Sequence, residues 1–181
     1  MDRNIALGLA VLLGVVVGAG GVGLYARAKM PEAESPAARG KYLVTVAGCN
    51  DCHTPGYFFG KPDMARFLGG SEVGFEIPGL GVFHGPNLTP DKETGLGSWT
   101  NEQIVTALQT GNRPDGRGLA PIMPWRAFAG FSKSDAQAIA AFLQTLPAVK
   151  NKVPGPFGTN QKPTAFVMKI VRGEGAPPPT K

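Results

Sequence analysis

Two cysteines and two histidines are the whole supply of thiol and imidazole in this chain of 181 residues. So few cysteines exclude a framework of several disulfides. They also weigh against structural zinc, which commonly takes two CxxC-like pairs, or one pair with a spaced histidine pair. Here there is no second cysteine pair, and adjacent Cys52 and His53 would strain to share one tetrahedral ion. Charge is sparse as well, at 17% of residues, and no basic run is interleaved with aromatics, so no nucleic-acid partner is expected. No internal repeat is present.

What the chain has in abundance is glycine (26) and proline (17), which predicts few helices and long wrapped loops. Residues 5–25, IALGLAVLLGVVVGAGGVGLY, carry no charge. As a helix they span about 31 Å, close to the hydrocarbon thickness of a bilayer. This predicts a transmembrane helix within residues 1–29; Ala26-Arg27-Ala28 is an alternative cleavage site. Gly14 and Gly18 form a GxxxG on which another membrane helix could pack. Basic residues flank the segment on both sides, so their count does not fix its orientation.

The excess charge sits at the far end. Residues 1–147 hold twelve basic and twelve acidic side chains, and residues 148–181 hold six basic and one acidic, Glu174. A solvated, proline-rich extension over 150–181 is the expected reading. The domain between, residues 36–149 after a linker at 30–35, shows three helices. Ser35-Pro36 opens the first, which Gly48 stops; Thr100 and Gln103 form a capping-box pair for the second, ended by Gly111; Ser132 caps the third, with Ile139, Phe142, Leu143 and Leu146 at helical spacing before Pro147. SEVGFEIPGLGVF alternates and then turns at Pro78-Gly79, as a small hairpin would. Three helices around a loop-rich middle make a thin core, one that a large apolar cofactor would complete.

Both cysteines and one histidine fall in CNDCH, residues 49–53. A redox dithiol usually stands at a helix N-terminus within a βαβ unit, whereas this motif is expected in a loop after a helix. C-x-x-C-H is the attachment pattern of haem c: Cys49 and Cys52 each add to one vinyl group, and His53 is held beneath the iron. One covalent haem c is therefore expected. Attachment of this kind takes place outside the cytoplasm, which orients the predicted anchor: a single pass through the inner membrane with the haem domain in the periplasm.

The sixth ligand decides between electron transfer and ligand chemistry. Met1 and Met30 belong to the anchor region, Met64 is too near His53 in sequence to cross to the other face, and Met168 lies in the tail. Met123, flanked by Pro121 and Pro124, is the candidate, with His84 as the bis-histidine alternative.

CNDCH, FLGG, GPNLTPDKETGLGSWTNEQIVTAL, RPDGRGLAPIMPWRAF and AIAAFLQTLP together resemble a class I cytochrome c domain. More narrowly they resemble the haem domains in cytochrome subunits of periplasmic dehydrogenases. The resemblance covers about residues 36–149. It implies an all-α fold with haem in a crevice, Cys49 and Cys52 as attachment points, and His53 and Met123 as axial ligands. It also places Asn87, Thr89 and Trp99 near the haem propionates. Those subunits often carry three such domains; this chain has one CxxCH. The expected function is single-electron transfer between redox protein partners, a donor and an acceptor, with no bond-making catalysis. The chain would act as a membrane-anchored carrier or as a fixed subunit of a larger oxidoreductase. A haem enzyme or gas sensor with an open iron site is the reading from a different class.

Overall fold

The computed structural model describes residues 35–175 and 177. Its first helix, α1 (Pro36–Val46), starts where Ser35 Oγ accepts the Ala38 N–H at 3.2 Å and proline occupies the first turn. The last long helix, α5 (Lys133–Thr145), starts at Ser132, whose Oγ accepts the Asp135 N–H at 3.1 Å. The two pack on each other at Gly40. A Cβ there would stand 2.6 Å from the Ala138 carbonyl carbon and 2.7 Å from Phe142 Cβ, so only glycine permits this approach. Arg39 Nε donates to Asp135 Oδ1 at 2.9 Å beside the crossing.

Between them, α3 (Asn101–Thr110) carries the reciprocal capping box its sequence announces. Gln103 N–H donates to Thr100 Oγ1 at 3.2 Å and Thr100 N–H to Gln103 Oε1 at 2.9 Å, and Gly111 closes the helix at φ +74°. The three helices bury Leu43, Val44, Ile104, Ile139, Phe142 and Leu143, joined by Leu68 and Leu96 from the loops. Each such side chain contributes about 1.5–3 kcal/mol when fully buried.

Three features depart from expectation. First, CNDCH is not in a loop. Gly48, at φ +67°, breaks α1 and re-aims the chain into a separate short helix, α2 (Cys49–His53). Second, a short α4 (Trp125–Phe128) follows the Met123 loop. Third, the extension after α5 is exposed over most of its length but is not detached from the domain. The predicted hairpin forms as β1 (Val73–Ile77) and β2 (Gly81–His84), antiparallel with Phe75 opposite Phe83. The extension then returns to it: Val82 and Phe157 exchange backbone hydrogen bonds of 2.8 and 3.0 Å. Further on, β3 (Phe166–Met168) pairs parallel with β1, giving the order β2-β1-β3. The expected all-α architecture is thus corrected to helices plus a three-stranded mixed sheet, completed from a region whose proline content masks it in the sequence.

The expected anchor at residues 5–25, with Gly14 and Gly18, lies outside the described residues. Among the described residues no helix is long and apolar enough to cross a membrane. The expected location, a single pass through the inner membrane with the haem domain in the periplasm, is corrected accordingly.

Candidate haem site

The α2 helix sets the site. Its i, i+3 spacing puts Cys49 and Cys52 on one side of a single turn, both half-buried and unpaired. Burial pushes the Cys49 thiol up to about 11 and raises Cys52 as well, with Asp51 and, for Cys49, the Cys52 neighbour adding to the shift. A reactive dithiol needs the opposite, a depressed pKa. With the motif on a helix rather than in the expected loop, position alone does not exclude a redox dithiol; the thiol environment weighs against it.

His53 is buried, and burial lowers its pKa, partly opposed by a backbone hydrogen bond. That bond joins Nδ1 to the Pro86 carbonyl at 2.8 Å. Because a carbonyl only accepts, Nδ1 carries the proton, and the Nε2 lone pair is left to ligate. Two glycines make this backing possible. Gly70 N–H donates to the His53 carbonyl at 2.8 Å. Gly85 lies so close that a Cβ would collide with the Cys52 carbonyl and approach His53 Nδ1 to 3.4 Å.

Behind Pro86, Asn87 is a fully buried hub. Its Oδ1 accepts from Thr89 N–H and Oγ1 at 2.9 and 2.8 Å; its Nδ2 donates to Thr94 Oγ1 at 3.0 Å and to the Val149 carbonyl at 2.6 Å. Asn151 continues the clamp, its N–H donating to Thr94 Oγ1 at 3.1 Å and its Nδ2 to the Gly69 carbonyl at 2.8 Å. Asn87 and Thr89, expected beside the propionates, therefore spend their hydrogen bonds inside the protein. This holds the segment that backs His53. Trp99 differs: it is half-buried against the core, and its indole N–H makes no hydrogen bond among the described residues. The Arg113 guanidinium lies over its ring at 5.3 Å.

Met123 stands half-buried on a loop fastened at both ends. Leu119 N–H donates to the Gly111 carbonyl at 2.7 Å, Trp125 N–H to the Met123 carbonyl at 2.8 Å, and the Trp125 ring covers Gly111. A turn at Arg113–Arg117 precedes it, where Asp115 accepts from Arg117 at 2.7 Å and from Arg113 at 3.3 Å; this holds the Asp115 carboxyl down to about 2. Met64 and Met168 are exposed, in the turn at Met64–Arg66 and on β3. His84, the bis-histidine alternative, ends β2. Its strand runs into Gly85 and Pro86, on the Nδ1 side of His53, and its ring lies against Phe157 and Gly74 with neither nitrogen hydrogen-bonded.

These residues fit haem c. The His53 Nε2 lone pair is available to ligate an iron, and the two free thiols, three positions apart, are available for covalent attachment. Half-buried Leu88, Trp99, Val105 and Leu108 pack, with Cys49, against the buried core, so apolar side chains lie beside the motif. A family model described as Cytochrome c matches residues 37–147, more than half of the chain. The chain belongs to the cytochrome c family. It is 34% identical over 148 residues to the fructose dehydrogenase cytochrome subunit of Gluconobacter japonicus, covering 77% of this chain and 28% of that one. It is 37% identical over 119 residues to the cytochrome c subunit of the quinone alcohol dehydrogenase of Gluconobacter oxydans, covering 64% and 23%. With the diheme cytochrome c-type protein of Cereibacter sphaeroides it shares 31% over 152 residues, covering 81% and 49%. The chain thus spans less than half the length of each. The cytochrome c fold accommodates the small sheet as an addition beside its helices.

Proposed function

We propose that this cytochrome c domain carries one haem, attached at Cys49 and Cys52 with His53 and Met123 as axial ligands, and passes single electrons between a dehydrogenase subunit and a downstream redox protein. A bound haem c supplies reversible one-electron chemistry at its iron. The chain's own residues would govern where that chemistry sits and what reaches it. The Pro86 carbonyl orients His53 and raises its basicity, an outer contact of the kind that tunes metal ligands. The Gly111–Trp125 contact holds the Met123 loop, and a thioether in the sixth position closes the site to small ligands and favours a positive potential. Trp99, with Arg113 over its ring, is the expected propionate neighbour.

The observation that carries this reading is the His53 geometry, with Nδ1 committed to Pro86 and Nε2 left free one residue after a pair of unpaired thiols. The similar proteins support a role as a subunit, since two of them are cytochrome subunits of dehydrogenases. The test is a pyridine haemochrome spectrum of protein made with haem-attachment machinery. Two thioether bonds and one haem per chain are expected, and Cys49→Ala or Cys52→Ala shifts the band as one vinyl group is left free. Absence of covalent haem in the parent protein would contradict the reading.

A further inference from the structure

His53 is held at two points, its carbonyl by Gly70 and its ring by Pro86, and both points stand on segments that the chain after α5 ties down. The two segments first hold each other: Ser71 N–H donates to the Gly85 carbonyl at 3.0 Å and Leu88 N–H to the Leu68 carbonyl at 2.9 Å. Residues 147–156 then run past both without regular structure, and prolines at 147, 154 and 156 narrow the backbone's choices. On the Gly70 segment, Asn151 Nδ2 donates to the Gly69 carbonyl at 2.8 Å. Two valines pack there as well. A Cβ on Gly69 would lie 3.1 Å from Val149 Cγ1, and one on Gly70 would collide with Val153 Cγ1. On the Pro86 segment, the Val149 carbonyl accepts from Asn87 Nδ2 at 2.6 Å, and Val149 N–H donates to Thr89 Oγ1 at 3.0 Å. Farther on, Phe157 exchanges its backbone bonds with Val82, three residues before Gly85.

We propose that residues 149–157 are a strap that positions the axial histidine, with Asn151 and Val153 as positioning residues that set the His53–Pro86 hydrogen bond and, through it, the iron potential. The proposal rests on the reading of His53 as an axial ligand of one covalent haem. A ring N–H that donates to a carbonyl makes the imidazole a stronger electron donor, which favours ferric over ferrous iron. Outer hydrogen bonds of this kind are among a protein's levers on potential. Because the strap bonds to both segments, it fixes their spacing. The His53 carbonyl, bonded to one segment, and the His53 ring, bonded to the other, are held with it. The side chains of Asn151 and Val153 are uncharged, so their loss reaches the iron through geometry and not through an added or missing charge.

The test uses the holoprotein with Asn151→Ala and Val153→Ala, and with Ser132→Ala as a control that loses stability at the α5 cap instead. In the reduced protein the His53 Nδ1 proton is followed by NMR. Its exchange with solvent should speed at least about tenfold in both strap variants. The potential should rise in both. At the parental midpoint the ferrous-to-ferric ratio should grow at least about threefold, a shift of about 28 mV at about 59 mV per decade for one electron. Covalent haem and the sulfur-to-iron band should be retained, and Ser132→Ala should lower stability with potential and exchange unchanged. If the strap variants lose stability but keep the parental potential and exchange, the strap is structural only, and the proposal fails while the haem reading stands. A potential that falls, or that moves equally in Ser132→Ala, also overturns it. If the parent chain carries no covalent haem, the haem reading fails and the proposal falls with it. Should Asn151→Ala not fold, Val153→Ala, which removes only two methyl groups, decides the outcome.

Discussion

Replacing Asn87 with alanine tests whether His53 is held from behind. The change removes four hydrogen bonds of 2.6–3.0 Å from a side chain that is 1% exposed. A net contribution of about 1 kcal/mol per bond gives about 4 kcal/mol. Leaving the Thr89 N–H unpartnered in the interior, and the Val149 carbonyl with only the long 3.5 Å bond from Thr89 Oγ1, adds to this, whereas water entering the space offsets part of it. We expect a loss of about 3–5 kcal/mol, a large share of the 5–15 kcal/mol typical of a domain. Asn87→Asp should cost as much, since an acceptor would face the Val149 carbonyl and Thr94 Oγ1. Thr94→Val, which removes three hydrogen bonds of 2.7–3.1 Å, should cost about 2–3 kcal/mol. Denaturant unfolding of the holoprotein, followed by far-ultraviolet circular dichroism and by the haem absorbance, measures all three. Because Asn87 adjoins the carbonyl that orients His53, the haem signal of Asn87→Ala should also become heterogeneous before global unfolding. A loss below about 1 kcal/mol with an unaltered haem spectrum would refute the clamp.

Three further outcomes are expected. Met123→Ala should retain covalent haem but lose the weak red-edge sulfur-to-iron band and gain carbon monoxide binding in the reduced state; a retained band would assign the sixth position elsewhere. Gly111→Ala forces a Cβ to within 2.6 Å of the Trp125 ring at a residue with φ +74°, so it should cost about 1–3 kcal/mol and weaken that same band by loosening the Met123 loop, as read by unfolding and absorption. Burial lowers the His84 pKa below its ordinary 6.5, so the unfolded chain takes up a proton that the folded one resists. Stability should therefore fall as pH drops through about 6.5 towards the depressed folded value, and His84→Phe should flatten that stretch of the pH–stability curve; an unchanged slope in the variant would remove His84 as its source.

Signals carried within a few residues are legible in the sequence. Ser35, Thr100 with Gln103, and Ser132 cap the helices they announce, because a cap is satisfied by backbone three residues away. The hairpin and the CxxCH spacing are legible for the same reason. Features that elude the sequence depend on distant partners. Asn87 reads as a loop asparagine until its bond to the carbonyl of Val149, 62 residues on, is seen. β3 is masked by prolines on either side, and its pairing with β1 rests on contacts that no local pattern encodes. The helical state of Cys49–His53 turns on the left-handed conformation of Gly48; a glycine there signals the end of one helix but not the start of another. The apolar run at 5–25 is legible as composition, and it lies outside the described residues.

An optical redox titration of the purified holoprotein under a carbon monoxide atmosphere would test the central claim most directly. One haem held by His53 and Met123 predicts a single one-electron wave and a low-spin spectrum in both states that carbon monoxide does not perturb. Two waves would show a second haem, and a reduced form that binds carbon monoxide readily would show an open iron; either result would contradict a closed, single-haem electron carrier.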